Sequence, residues 1–534
     1  MHYILLQYIL LLAAVVLLIM LAQKIRIAYP VFLVIAGLLM GYIPRIPEIS
    51  IDPDLIFLIF LPPLLFEAAW YTSWNDLWKW RGPISLLSVG LVIFTSGIVA
   101  IVSEFTIPGF TLALGFVLGG IISPPDAIAS TLILKHLKIP KRITAILEGE
   151  SLMNDASGLI ILKFALAAVI TGNFSFDHAL SNFFVVTLMG ILTGLAVAYV
   201  MYAIHRYLPT TASIDAVFTL ITPYFIYLTA EEFHFSGVMA VVSGGLFLSY
   251  RSHEIFMNGQ SRLQVISVWS TLIIIMNGLV FIMIGLQLPG IVKSMGTRSL
   301  SEALKYSFTI AVVVIVIRML WIYTATFLPR RLFKSLRTTE PQWDWRSVFV
   351  IGWAGMRGVV SLAAALSLPT LTDDGRSFPQ RELIVFISFV VILVTLIFQG
   401  LSLPWIIKGL KLKNTDTDTA EDQQLAEIQL HLTRVSLAIL QDKYALECEG
   451  NELVNGYKTE LEHLMAQAAE HLRCMTCGVS GKKEIDQYNN VLKDIYRQQR
   501  QALYQLKKEK SFSDELLRRE EKQIDFNEAR ILER

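Results

Sequence analysis

For its first four hundred residues the chain alternates long apolar runs with short polar breaks. A bilayer-crossing helix needs about 20 mostly apolar residues. Thirteen stretches meet that need, near 3–22, 27–44, 54–70, 83–103, 109–134, 143–171, 182–204, 214–230, 236–250, 265–288, 303–328, 347–369 and 382–407. From about residue 410 the pattern changes. Leu425, Ile428, Leu432 and Val435 recur at helical spacing among polar residues, as do Leu503 and Leu506, which predicts amphipathic helices. Asn414–Ala420, NTDTDTA, reads as a hinge. The pattern predicts an all-α polytopic membrane portion over 1–409 and a polar helical tail over 410–534. The first apolar run, Tyr3–Ala22, is too long for a signal peptide, and Lys24 and Arg26 follow rather than precede it, so it reads as a retained helix.

Composition agrees with this division. Apolar residues make up 54% of the 534, more than the 45–50% or so of a soluble domain. The tail holds 19 of the 45 Lys/Arg and 23 of the 44 Asp/Glu, leaving a charge-poor body. With the N-terminus outside, the cytoplasmic loops carry sixteen Lys/Arg against six in the external loops, the bias expected of an inner-membrane protein. An odd number of spans then puts the tail in the cytoplasm. The net charge of +1 offers no basic surplus for a nucleic acid. The three cysteines, Cys448, Cys474 and Cys477, all lie in the tail and form no disulfide framework.

Ionisable residues inside apolar spans are costly, so each one is a functional candidate. They are Glu67 in span 3, Asp126 in span 5, Glu150, Asp155 and Lys163 in span 6, Arg318 in span 11 and Arg357 in span 12. Span 6 carries the densest run, Glu148-Gly-Glu-Ser-Leu-Met-Asn-Asp155. Helical spacing puts Ser151 with Asp155 on one face and Glu150 with Asn154 on another. A carboxylate with a hydroxyl and an amide nearby supplies hard oxygen ligands for a monovalent cation. The same carboxylate, partly desolvated, can hold a proton instead. Asp155 is the candidate exchange group. Lys163 lies eight residues on, about 80° around the helix, and reads as a structural side chain.

Span 5 is interrupted by Ser123-Pro-Pro-Asp126 and span 12 by Gly352-Trp-Ala-Gly355-Met-Arg357-Gly358. Paired prolines disrupt a helix, and non-helical backbone at membrane depth survives only inside protein or along a cavity. Spans seven apart run in opposite directions. Interruptions at such inverted positions predict inverted repeats, with a binding site where the two broken helices cross.

These residues resemble the monovalent cation:proton antiporter-1 family, the NhaP-type and NHE-type sodium/proton exchangers. The match runs through LPPLLFEAAW (61–70), ISPPDAIA (122–129), LEGESLMNDASG (147–158), VIRMLWIY (316–323) and GWAGMRGVVSLA (352–363), about 400 residues in all. The resemblance implies an NhaA/NhaP-like fold, elevator-type exchange of Na⁺ (or K⁺ or Li⁺) for H⁺, no cofactor and a homodimer. It makes Asp155 the ion- and proton-binding aspartate and Asn154 the mark of electroneutral exchange. Ser151, Asp126 and Glu67 match positions forming or approaching the site, Glu150 a glutamate paired with Arg318, and Arg357 the arginine of the second broken helix. One departure is that Pro-Pro-Asp126-Ala127 stands where the family usually has Asp-Pro.

Two further readings are open. A gated monovalent-cation channel could use the same acids, though no filter-like segment is present. In the tail, His471, Cys474 and Cys477 offer three metal ligands without an evident fourth, so free thiols are the default and no metal site is expected. No nucleophile–base pair lies within the spans, which excludes an embedded enzyme on this reading.

Overall fold

The computed structural model describes residues 2–25, 27–43, 53–134, 137, 139–172, 176–256, 259–295, 299–332, 344–371, 376–410, 418–476 and 482–509, together with 520, 524, 525, 527 and 528. Among the described residues the chain is helical, with one isolated antiparallel bridge between Leu371 and Ser377. It divides into two compact units, Met1–Lys413 and Asn414–Arg534.

In the first unit each apolar run becomes a helix or a helix pair. The chain opens with α1 (His2–Ile25), α2 (Tyr29–Gly41) and α3 (Pro53–Tyr71). Pro62 and Pro63 lie inside α3, which continues through them. The short helices α4 (Trp74–Lys79) and α5 (Arg81–Ser85) lead through a π-helical turn over Leu86–Leu91 into α6 (Val92–Thr106). The fifth apolar run splits into α7 (Leu112–Ile122) and α8 (Ala127–Leu134), and the sixth is the unbroken α9 (Lys141–Thr171). Then come α10 (Phe176–Tyr207), α11 (Ala212–Glu232), α12 (Gly237–Tyr250), α13 (Ser252–Ile255), α14 (Gly259–Leu286), α15 (Leu288–Ser294) and α16 (Leu300–Leu332). The twelfth run splits into α17 (Trp345–Trp353) and α18 (Val359–Leu366). The last is α19 (Arg381–Val394), a π-helical turn over Thr395–Gln399 and α20 (Gly400–Leu410).

Among the described residues, seven helical stretches are long and apolar enough to cross a membrane by length and composition. Their outer faces match such a setting. Leu304, Phe308, Val312, Val316 and Leu320 step along α16 every four residues and are 43–62% exposed. A stripe of that size does not face water in a soluble monomer; against lipid it carries no penalty. The chain is a multi-pass membrane protein.

Buried side chains form two apolar clusters. The larger joins α7, α8, α9 and α19 with parts of α1, α2, α14 and α16. The smaller joins α3, one side of α9, α10, α11, α12 and Trp269 of α14. Helix α9 contributes to both, with Ile146 and Leu162 in the first and Leu152 and Ala156 in the second. Its polar residues therefore lie at the seam between them.

The second unit contains α21 (Asp418–Lys443), α22 (Ala445–Gly450), α23 (Glu452–Thr476) and α24 (Lys482–Glu509). Of the expected hinge over 414–420, the part before Asp418 lies outside the described residues, and helix begins at Asp418. Cys477 and the side chains of His471 and Cys474 also lie outside them.

Candidate ion site

The two interrupted runs are tied to each other. The last helical bond of α7 runs from Ser123 N to Gly119 O at 2.9 Å; Pro124 and Pro125 have no N–H to continue it, so the backbone groups of the break must find partners elsewhere. They find them mainly in the second break. Asp126 N donates to Met356 O at 2.7 Å, and Arg357 Nε donates to Ile122 O at 3.0 Å. Arg357 Nη1 reaches Gly355 O, and its backbone N donates to Thr395 Oγ1 at 3.1 Å. A buried guanidinium thus sits on an orphan carbonyl at the C-terminal end of α7, where a helix dipole favours positive charge. At the other end of the break, Asp126 Oδ1 accepts from Ile128 N at 2.7 Å and caps the start of α8. Gly358 is required by this fit, because a Cβ there would collide with the Asp126 carboxylate. Gly158 of α9 similarly seats Pro124.

Glu150 and Arg318, each 1% exposed, form a two-pronged ion pair, with Nη1 to Oε1 at 2.5 Å and Nη2 to Oε2 at 2.9 Å. Arg318 also donates to Gly352 O and Ile351 O, each at 3.1 Å. It therefore caps α17 much as Arg357 caps α7. The pair anchors α9, α16 and the second break together and does not line the cavity described next.

That cavity, of about 460 Å³, opens at the seam between the two apolar clusters. Its wall holds Glu67 of α3, Asp126 and Thr131 from the first break and α8, Glu148, Ser151 and Asp155 of α9, and Ser270 and Asn277 of α14. All four charged side chains on the wall, Glu67, Asp126, Glu148 and Asp155, are acidic. Asp155 is buried and feels the charge of Asp126. Two carboxylates in so dry a place cannot both stay uncompensated, so the cavity calls for a cation or a proton.

Four of the residues singled out in the sequence, Asp155, Asp126, Ser151 and Glu67, thus meet on one cavity. Asn154 does not join them. Its Nδ2 donates to Pro125 O at 2.6 Å and holds the first break against α9. Lys163 is 60% exposed and lies 3.5 Å from Glu231 of α11, away from the cavity. Of the lining residues without an assigned role, Glu148 and Asn277 stand out. Glu148 lies three residues before Ser151 and seven before Asp155, a spacing that puts all three on one helix face. Asn277 is an amide within an apolar run; it is buried, and its Oδ1 has no protein partner.

The sodium/hydrogen exchanger transmembrane family profile matches residues 10–409. The chain belongs to that family. It is 32% identical over 454 residues to a sodium, potassium, lithium and rubidium/H⁺ antiporter of Bacillus pumilus, covering 83% of this chain and 66% of that one, so it spans just under two thirds of that relative. It is likewise 32% identical over 534 residues to a Mycobacterium tuberculosis protein named as an uncharacterized Na⁺/H⁺ exchanger, covering 98% and 95% of the two chains. Its fold is similar to that of the sodium proton antiporter MjNhaP1 from Methanocaldococcus jannaschii, with a TM-score of 0.57 and 18% identity over 73% of this chain and 97% of that chain. These relatives are named as antiporters or exchangers.

Proposed function

We propose that this exchanger is a secondary active antiporter in which a monovalent cation, with Na⁺ the first candidate and K⁺ or Li⁺ the others, competes with a proton for Asp155. The observation that carries the reading is a cavity whose charged lining, among the described residues, is all acidic, with Asp155 and Asp126 facing it beside the two joined helix breaks. A desolvated carboxylate can be neutralised by a proton or by a cation, and one site serving both in turn is sufficient for exchange. Asp126 and Ser151 supply further oxygens, and Asn154 keeps the first break in place. Glu67 and Glu148 raise the local cation concentration along the approach. The Glu150–Arg318 pair and Arg357 hold the breaks rigid. No cofactor enters this scheme.

The same reading makes 1–409 the transport domain of a homodimer in a bacterial plasma membrane. The N-terminus is outside, and the 410–534 tail is cytoplasmic, with a regulatory or dimer-stabilising role. Transport proceeds by elevator-type movement of the broken helices as inverted repeats. Purified protein in proteoliposomes with an internal pH dye tests the assignment. Na⁺, K⁺ or Li⁺ added in turn should dissipate an imposed proton gradient, and Asp155→Asn should abolish the response while the protein keeps its size-exclusion profile. Cation-dependent dissipation persisting in Asp155→Asn would refute the role given to Asp155.

A further inference from the structure

The tail helix α21 has two apolar sides, and one of them is uncovered. Ala426 and Leu437 are buried, with Leu430, Thr433 and Leu440 half-buried beside them, and this side packs on α23, where Leu461 is buried. On the other side, Ile428, Leu432, Val435 and Ile439 are 56%, 59%, 43% and 50% exposed. At about 100° per residue the two sides lie roughly opposite each other. The exposed positions follow a three–four spacing that Leu425 extends in the sequence, the a/d pattern of a coiled-coil seam. The repeat ends at Glu421 before it and Asp442 after it, leaving a stripe about 21 Å long.

The borders of the stripe identify what covers it. Gln424, His431 and Ala438 run along one edge and Gln429 and Ser436 along the other, with no Lys, Arg, Asp or Glu among them. A seam that meets its own copy across a two-fold axis puts equivalent borders side by side, and uncharged borders avoid the like-charge repulsion that charged ones would bring. A helix that lies on a membrane is instead edged with Lys and Arg. Helix α21 as a whole has five acidic and two basic residues, which disfavours an anionic lipid surface.

We infer that this stripe is the contact between the α21 helices of two copies of the chain. A stripe of five side chains is too small for the roughly 800 Å² per partner of a free-standing interface. It therefore works between copies already held together in the membrane, where tethering supplies a high effective concentration. In that respect the inference rests on the homodimer reading above.

The test uses the full-length chain in membranes with Cys448, Cys474 and Cys477 replaced by Ser. Single changes Ile428→Cys or Val435→Cys place a thiol in the seam; Glu427→Cys or Arg434→Cys place one outside it. Copper-phenanthroline oxidation should give at least about ten-fold more cross-linked dimer from the seam pair, as expected for positions facing across a coiled coil. Adding Leu432→Glu to Ile428→Cys should remove that dimer. Co-purification of two differently tagged copies reports the membrane dimer independently. If tagged copies co-purify but seam and outer thiols cross-link alike, the seam is wrong and the homodimer stands. If the copies do not co-purify, both readings fall. Quenching of a Val435-attached fluorophore by brominated anionic lipid would assign the stripe to the membrane surface and overturn the inference.

Discussion

At the scale of single residues, the structure separates side chains that line the cavity from side chains that hold its walls. Glu150 is the clearest case of the second kind. It sits five residues from Asp155, yet both its carboxylate oxygens are engaged by Arg318. Removing one partner of a buried pair leaves an unpaired charge, at a cost of about 3–5 kcal/mol. Glu150→Gln and Arg318→Met should each lower the thermal midpoint in detergent sharply, while any folded remainder keeps the order of ion preference. An unchanged midpoint with a reordered preference would place Glu150 at the ion instead. Asn277 is expected to behave in the opposite way. Its Oδ1 is buried without a protein partner on the cavity wall, so Asn277→Ala should raise the cation KM several-fold with little change in maximal rate. A fall in maximal rate at constant KM would make it a structural residue of the wall.

At the scale of elements, the two helix breaks set the geometry. Pro124-Pro125 and the Gly355–Gly358 stretch each free backbone groups, and each break satisfies groups of the other. Gly358→Ala puts a methyl group against the Asp126 carboxylate, and forced overpacking of this kind typically costs about 1–3 kcal/mol. Exchange should fall more steeply than stability, because the strain falls on a carboxylate of the cavity. Parallel thermal melts and proteoliposome rates would show this; equal losses in both would mean that the break has no special role. The breaks were legible in the sequence because proline and clustered glycine announce them, and an arginine inside an apolar run has to find an acid, as Arg318 does, or freed carbonyls, as Arg357 does. The side-chain directions were not legible. Asn154 turns to Pro125 O rather than to the cavity, since the first break leaves that carbonyl within reach of α9. Glu148 reaches the cavity because α3 and α14 pack where they do, and local spacing alone could not say which face of α9 the cavity would occupy.

At the scale of the whole molecule, the open quantity is the charge moved per cycle. The proposed site exchanges one proton for one monovalent cation on a single carboxylate. Asp126 caps α8 and is counted as fixed, and the buried arginines are occupied by carbonyls and by Glu150. On that count the loaded site carries the same charge in both directions, so a membrane potential does no net work on the cycle. Proteoliposomes clamped with valinomycin and K⁺ gradients at zero and at about ±100 mV should then give the same Na⁺/H⁺ exchange equilibrium. Were Asp126 also to release a proton, two protons would cross per cation, and each 100 mV would shift the balance by about 2.3 kcal/mol, close to fifty-fold in the equilibrium ion ratio. A shift of that size is easily measured, and it would move Asp126 from a fixed cap to a second titrating group. The expectation of electroneutral exchange therefore depends on one hydrogen bond, from Ile128 N to Asp126 Oδ1, lasting through the whole cycle.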